Sequence, residues 1–192
     1  VGAEEARGLL KRLPAGDMPE EQLLPAAKMY VVLKDLARRH SLDALTVKCQ
    51  YELSQLYRYT PCVALSLLAD ELPASCEGDL LTLLSQLILH LLSGAVASYA
   101  DVHEVLADRV LLAACGFAPF SLARHACLSR WGWEAFSGPL NSSPYRCGEL
   151  TLARLARDGA GFKMHCAFGQ AEPKSEWHEV GCPPFPGLDL RM

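Results

Sequence analysis

The sequence has no Gly-x-Gly-x-x-Gly or Walker-type loop, no Gly-x-Ser-x-Gly elbow and no Cys-x-x-Cys pair. The first two absences remove support for nucleotide binding, and the third for a nucleophilic serine enzyme. The last speaks against a paired-cysteine zinc site. There is no basic stripe either: 18 basic and 22 acidic residues are intermixed for a net charge of −4, so a phosphate backbone is not an expected partner. The longest strongly apolar run, Leu80 to Leu92, is interrupted by Thr82, Ser85, Gln86 and His90 and is too short to cross a bilayer. It reads as a buried helix, and no membrane association is expected. Val1 to Leu13 carries Glu4, Glu5, Arg7, Lys11 and Arg12 and lacks the apolar stretch of a signal peptide, which predicts a cytoplasmic protein. The chain begins with Val rather than Met and reads as trimmed or cut from something longer. It has no internal repeat and no low-complexity segment.

What is present is ordinary globular material. The 192 residues are 51% hydrophobic and 21% charged, enough to bury a core without staples. The eight cysteines lie largely in apolar surroundings such as Ala113 to Phe117, and they read as free, mostly buried thiols.

Helical spacing runs from Ala3 to Leu13, broken by Pro14, Ala15 and Gly16. Between Glu20 and His40, Leu23, Ala26, Ala27, Tyr30, Leu33 and Ala37 recur at three- and four-residue steps, a stripe interrupted only by Lys34. Leu45 to Cys49 reads as a strand, followed by a polar loop from Gln50 to Thr60. Thr60 and Pro61 predict a capped helix through about Glu71, Pro73 to Cys76 an extended piece, and Leu80 to Ser93 a helix closed by Gly94. Ala95 to Ala100 and Arg109 to Cys115 are strand-like. The expected fold is therefore α/β, a parallel sheet covered by helices over residues 1 to 115. A partial, β-rich, barrel-like module over 116 to 192 follows, with strands at Leu150 to Leu155 and Phe162 to Phe168 and an irregular tail from Cys182.

The sharpest chemical feature is an acidic residue after each of two strand candidates, Glu77 and Asp101. Parallel strands end at one edge, where open α/β sheets take their ligands, so the two carboxylates would converge there. Together they can share a hard cation such as Mn2+ or Mg2+, and either can move a proton. They can equally be plain polar residues at strand ends, and Asp79 competes as a helix cap. His103 shares a strand face with Asp101 and reads as a third ligand or an exposed loop histidine, while His90 reads as a core or boundary residue. Lys48, at the end of the first strand, points to the same edge and reads as a sugar-binding or a solvated lysine.

The runs Thr60 to Leu68, Ala74-Ser75-Cys76-Glu77-Gly78-Asp79-Leu80, Leu91 to Gly94, Tyr99-Ala100-Asp101 and Cys115 to Pro119 resemble the L-fucose isomerase and L-arabinose isomerase-like superfamily, on the fucose isomerase side. The resemblance covers about Leu45 to Phe168. It implies an aldose-ketose isomerase working through an ene-diol, with Mn2+ (or Mg2+) gripping two sugar oxygens. Glu77 and Asp101 match the family's metal-binding, proton-transferring carboxylates. It also implies a homo-oligomer with substrate sites near subunit contacts. Family members have a further N-terminal domain and a later metal-binding histidine, so the chain reads as a central to C-terminal piece whose metal site is one ligand short. The stretch Arg130 to Tyr145 does not follow the family pattern. The alternative is a non-catalytic, sugar- or partner-binding remnant of that fold. A structural zinc domain would need four clustered ligands where the sequence offers scattered ones.

Overall fold

The computed structural model describes residues 3–11, 13, 18–49, 53–57, 59–130, 138–159, 161–174 and 187–191. The fold is mixed: helices α1 (Ala3–Leu10), α2 (Glu20–Arg39), α3 (Ser54–Tyr57), α4 (Cys62–Leu68) and α5 (Leu80–Ser93) accompany nine strands among the described residues. The strands are β1 (Leu45–Val47), β2 (Ala74–Cys76), β3 (Asp101–Val105), β4 (Arg109–Ala113), β5 (Leu128–Arg130), β6 (Pro139–Asn141), β7 (Gly148–Asp158), β8 (Gly161–Pro173) and β9 (Gly187–Arg191).

The apolar stripe expected on α2 buries Leu23, Ala26, Ala27, Tyr30 and Ala37, with Val31 beside them. Pro25 sits inside the helix and forfeits one ladder bond. Lys34, the break in the stripe, lies on the surface and reaches Glu71 at 2.8 Å, tying α2 to the chain after α4. The main core joins Leu45, Ala64, Leu65, Leu68, Ala74, Cys76, Tyr99 and Phe117 to α1 and α2. The α4 helix starts at Cys62 with Pro61 at its N-cap and no side-chain cap bond, so Thr60 does not cap it, and it ends at Leu68 rather than Glu71. The expected loop after β1 holds the short α3; Gln50, Tyr51, Glu52 and Arg58 lie outside the described residues.

The parallel sheet is far smaller than the sequence suggests. It is the pair β1–β2, in register Leu45↔Ala74, Thr46↔Ser75 and Val47↔Cys76. Ser75 is fully buried on β2 because its hydroxyl donates to Thr46 Oγ1 at 3.0 Å. Residues 95–100, expected as a third strand, form none. Their carbonyls are taken by side chains of α5 instead: His90 Nδ1 lies 2.8 Å from the Ala95 oxygen, and Gln86 Nε2 donates to Ala97 at 3.2 Å. The same Gln86 amide donates to Ala74 of β2 at 3.2 Å, so the segment is pinned alongside β2 by a side chain rather than by a ladder.

The larger sheet is antiparallel, in the order β3-β4-β9-β8-β7. It unites β3 and β4 with strands from beyond residue 116, and no closure into a barrel joins β3 to β7 among the described strands. The long hairpin β7–β8 contains the two strand-like runs read from the sequence, and it docks on α5: Ser85 accepts from the Leu155 N–H at 2.8 Å, and Arg154 pairs with Asp79 at 2.9 Å. The tail is not irregular throughout, because β9 inserts between β4 and β8 and fills both ladders, with Leu190 fully buried. Cys182 lies outside the described residues, as does the stretch 131–137. No helix among the described residues is long and apolar enough to cross a membrane.

Candidate functional site

At the C-terminal end of β2 the chain makes a sharp turn. Glu77 has φ 73° and Gly78 φ 72°, both left-handed, and Asp79 then caps α5, accepting from the Leu81 and Thr82 N–H groups at 2.9 and 3.0 Å. A left-handed non-glycine residue costs on the order of 1–3 kcal/mol and persists where the surroundings impose it. Here the neighbour is Lys48: a Cβ on Gly78 would meet Lys48 Cβ at 3.1 Å, so the turn lies against the residue that follows β1. Lys48 thus stands beside the Glu77 turn, at the edge the sequence assigns to it.

The Glu77 carboxylate has sulfur neighbours. Cys115 Sγ donates to Glu77 Oε1 at 3.5 Å, and ligand atoms of Cys76, Glu77 and Cys115 all lie within 4.8 Å of one another. Cys76 is buried, the other two half-buried. Around them Cys76 Sγ is hydrogen-bonded to the Tyr99 hydroxyl and to the thiols of Cys115 and Cys49, and the buried Cys62 thiol donates to the Cys115 carbonyl at 3.5 Å. The hydrogen bonds from Cys115 and Cys49, with burial, push the Cys76 thiol well up. The bond from Cys76 pulls Cys49 down against its burial. Burial raises Tyr99, which stacks on Phe117 with ring centroids 4.9 Å apart. The thiols of the described residues are free, as the sequence indicates, but they are not mostly buried: Cys49, Cys62 and Cys76 are buried, Cys115 is half-buried, and Cys127, Cys147 and Cys166 are exposed.

Asp101 opens β3, opposite Ala113, instead of leaving a parallel strand. It lies outside the Cys76–Glu77–Cys115 group. It lines a cleft of about 520 Å³ with Asp79, Gln86, Arg154 and His165, and Glu77 is not part of that lining. Loss of water around the Asp101 carboxyl pushes its pKa above the ordinary value; His103 pulls it down and Asp79 pushes it up. His103 therefore is an electrostatic neighbour of Asp101, as the two-residue spacing suggests. Gln86 also lines this cleft, and its Oε1 is buried with no hydrogen-bond partner among the described residues. Burial pushes Tyr145, on a neighbouring cavity of about 1080 Å³, up to about 12, although its bond to Ser98 at 2.8 Å lowers it.

Sequence spacing could not find the thiols or the Gln86 acceptor, because Cys76 and Cys115 are 39 residues apart and no local motif links them. The Mn2+ or Mg2+ implied by the resemblance would take oxygen from Glu77 and Asp101. The donors gathered at Glu77 are one oxygen and two sulfurs, whereas hard cations take oxygen shells. The set does not fit them. No protein-family model matches the chain, and no curated protein matches it.

Proposed function

We propose that the chain is part of a cytoplasmic sugar isomerase of the L-fucose isomerase type, a homo-oligomer that interconverts an aldose and a ketose through an ene-diol. The observation that carries the reading is Glu77, held in a left-handed turn at the end of a parallel strand beside Lys48; Asp101 lines a cleft that Asp79, two residues on from Glu77, also lines.

In this chemistry a base takes the proton from C2 of the aldose while the C1 carbonyl oxygen gains one. The ene-diol then loses its O2 proton and receives one at C1. Glu77 is the carboxylate base. Asp101, whose carboxyl is pushed above its ordinary value by loss of water, is the second carboxylate in this reading and passes the oxygen proton. Lys48, beside the Glu77 turn, is suited to a sugar oxygen. Because the donor set does not fit Mn2+ or Mg2+, no step here runs through a metal. Exposed Leu91, Leu92 and Phe168 support burial of apolar surface in an oligomer.

The test is ketose formation from fucose, arabinose and related aldoses, with and without added Mn2+. Formation that falls by about 10²-fold or more in both Glu77→Gln and Asp101→Asn supports the reading. Inertness toward every sugar refutes it. One observation favours a second reading, the non-catalytic sugar- or partner-binding remnant: Asp101 lies outside the Glu77 donor group. Saturable aldose binding without turnover would establish it.

A further inference from the structure

We infer that Cys76, Glu77 and Cys115 form a binding site for a thiophilic divalent ion of the zinc type. The inference shares Glu77 with the isomerase reading but requires neither Asp101 nor turnover.

The first ground is geometry. Zinc binds thiolate at about 2.3 Å and carboxylate at about 2.0–2.2 Å, and a tetrahedron of such bonds has edges of roughly 3.5–3.8 Å. Donors already within 4.8 Å of one another reach those edges by rotamer adjustment, without rearranging the backbone.

The second ground is anchoring. Cys76 ends β2 and pairs with Val47. Cys115 follows β4 and is locked from the other side: the Asn141 N–H donates to the Gly116 carbonyl at 2.9 Å, and a Cβ on Gly116 would meet Leu140 Cδ2 at 2.7 Å. With φ 91° and no room for a side chain, Gly116 fixes the path of the chain beside Cys115. Glu77 is fixed by its own left-handed turn. Three donors on two fixed pieces of backbone, Cys76-Glu77 and Cys115, are preorganised for an ion.

The third ground is donor chemistry and its surroundings. Two sulfurs and one oxygen select zinc and its soft congeners over Mn2+ and Mg2+. The Tyr99 hydroxyl on Cys76 Sγ is the outer partner that orients a ligating sulfur. The Cys49 thiol neighbours Cys76 but lies outside the three-donor group, so the fourth position would be open to water.

The experiment is a titration of the chain with Co2+ and, separately, Cd2+, in a background where Cys127, Cys147, Cys166 and Cys182 are replaced by serine. The expected result is a thiolate-to-metal charge-transfer band that saturates at one ion per chain and is displaced by Zn2+. Cys115→Ser and Cys76→Ser should each weaken binding by at least about 100-fold, the upper end of what losing an outer partner costs. Asp101→Asn should leave the band and the affinity unchanged, which separates this site from the isomerase reading. Circular dichroism reports whether each variant folds; if Cys76→Ser does not, Cys115→Ser and Glu77→Gln, at half-buried positions, carry the test. Absence of the band, or a band that survives Cys115→Ser in a folded chain, overturns the proposal.

Discussion

The Cys115 thiol donates to Glu77 Oε1 across 3.5 Å, joining two residues 38 apart in the sequence. This bond joins the carboxylate to sulfur, and Asp101, the partner that the strand pattern assigns to it, lies outside the group. It brings the end of β2 and the end of β4 to one point, although the two strands belong to different sheets.

The turn that presents Glu77 carries a backbone cost that a substitution can expose. Glu77→Gly relieves the left-handed strain, whereas Glu77→Ala keeps it. Both remove the carboxylate. Chemical denaturation should therefore find Glu77→Gly more stable than Glu77→Ala by about 1 kcal/mol. Equal stabilities would mean that the turn is unstrained.

Gln86 holds the chain after α5 beside β2 through two bonds of 3.2 Å, to Ala74 and Ala97. Gln86→Leu fills a similar volume but strands both carbonyls. It should cost about 2–3 kcal/mol in urea denaturation, and hydrogen exchange should show residues 95–100 opening before the helices.

Asp79 titrates against the fold in acid. Partial burial raises its carboxyl, but the Thr82 N–H, the Arg154 guanidinium and the Thr82 hydroxyl together hold it below the ordinary 3.8. A depressed folded-state pKa gives stability that is present above the unfolded value and lost as pH falls through the folded one. Asp79→Ala should cost about 1–2 kcal/mol at neutral pH, the worth of a helix cap. The difference should shrink below pH ~4, where the unfolded carboxyl gains its proton. A pH-independent difference would refute the assignment.

Asp101 titrates in the opposite sense. Its pKa is raised in the fold by loss of water and by Asp79, so its contribution is fully present below 3.8 and falls away as pH rises through the folded-state value. The carboxyl carbon resonance of Asp101 should titrate above 3.8. Asp79→Asn should lower that midpoint and His103→Gln raise it. A midpoint at or below the ordinary value would remove Asp101 as a proton donor.

Local signals in the sequence are legible where local physics decides. The α2 stripe, the Asp79 cap, the left-handed Gly94 at the end of α5 and the strand runs Leu150 to Leu155 and Phe162 to Phe168 each depend on neighbours within a few residues. The misses have distant causes. Residues 95–100 are as apolar as a strand, but Gln86 and His90 occupy their carbonyls. Gly187–Arg191 follows three prolines and looks like tail, yet it is the strand that fills the ladder between β4 and β8. Asp101 has the right type and order for a paired carboxylate. Its strand is antiparallel, so the shared parallel edge that would have joined it to Glu77 does not form.

The most direct measurement is hydrogen exchange at sugar carbon. The chain is incubated with an aldose in deuterated water, and deuterium at C1 and C2 is followed by proton NMR, which detects a single ene-diol step even when net conversion is slow. The account predicts exchange that depends on both Glu77 and Asp101 and disappears in Glu77→Gln. Retention of every C–H bond across fucose, arabinose and related aldoses, by a folded chain that binds them, would contradict it.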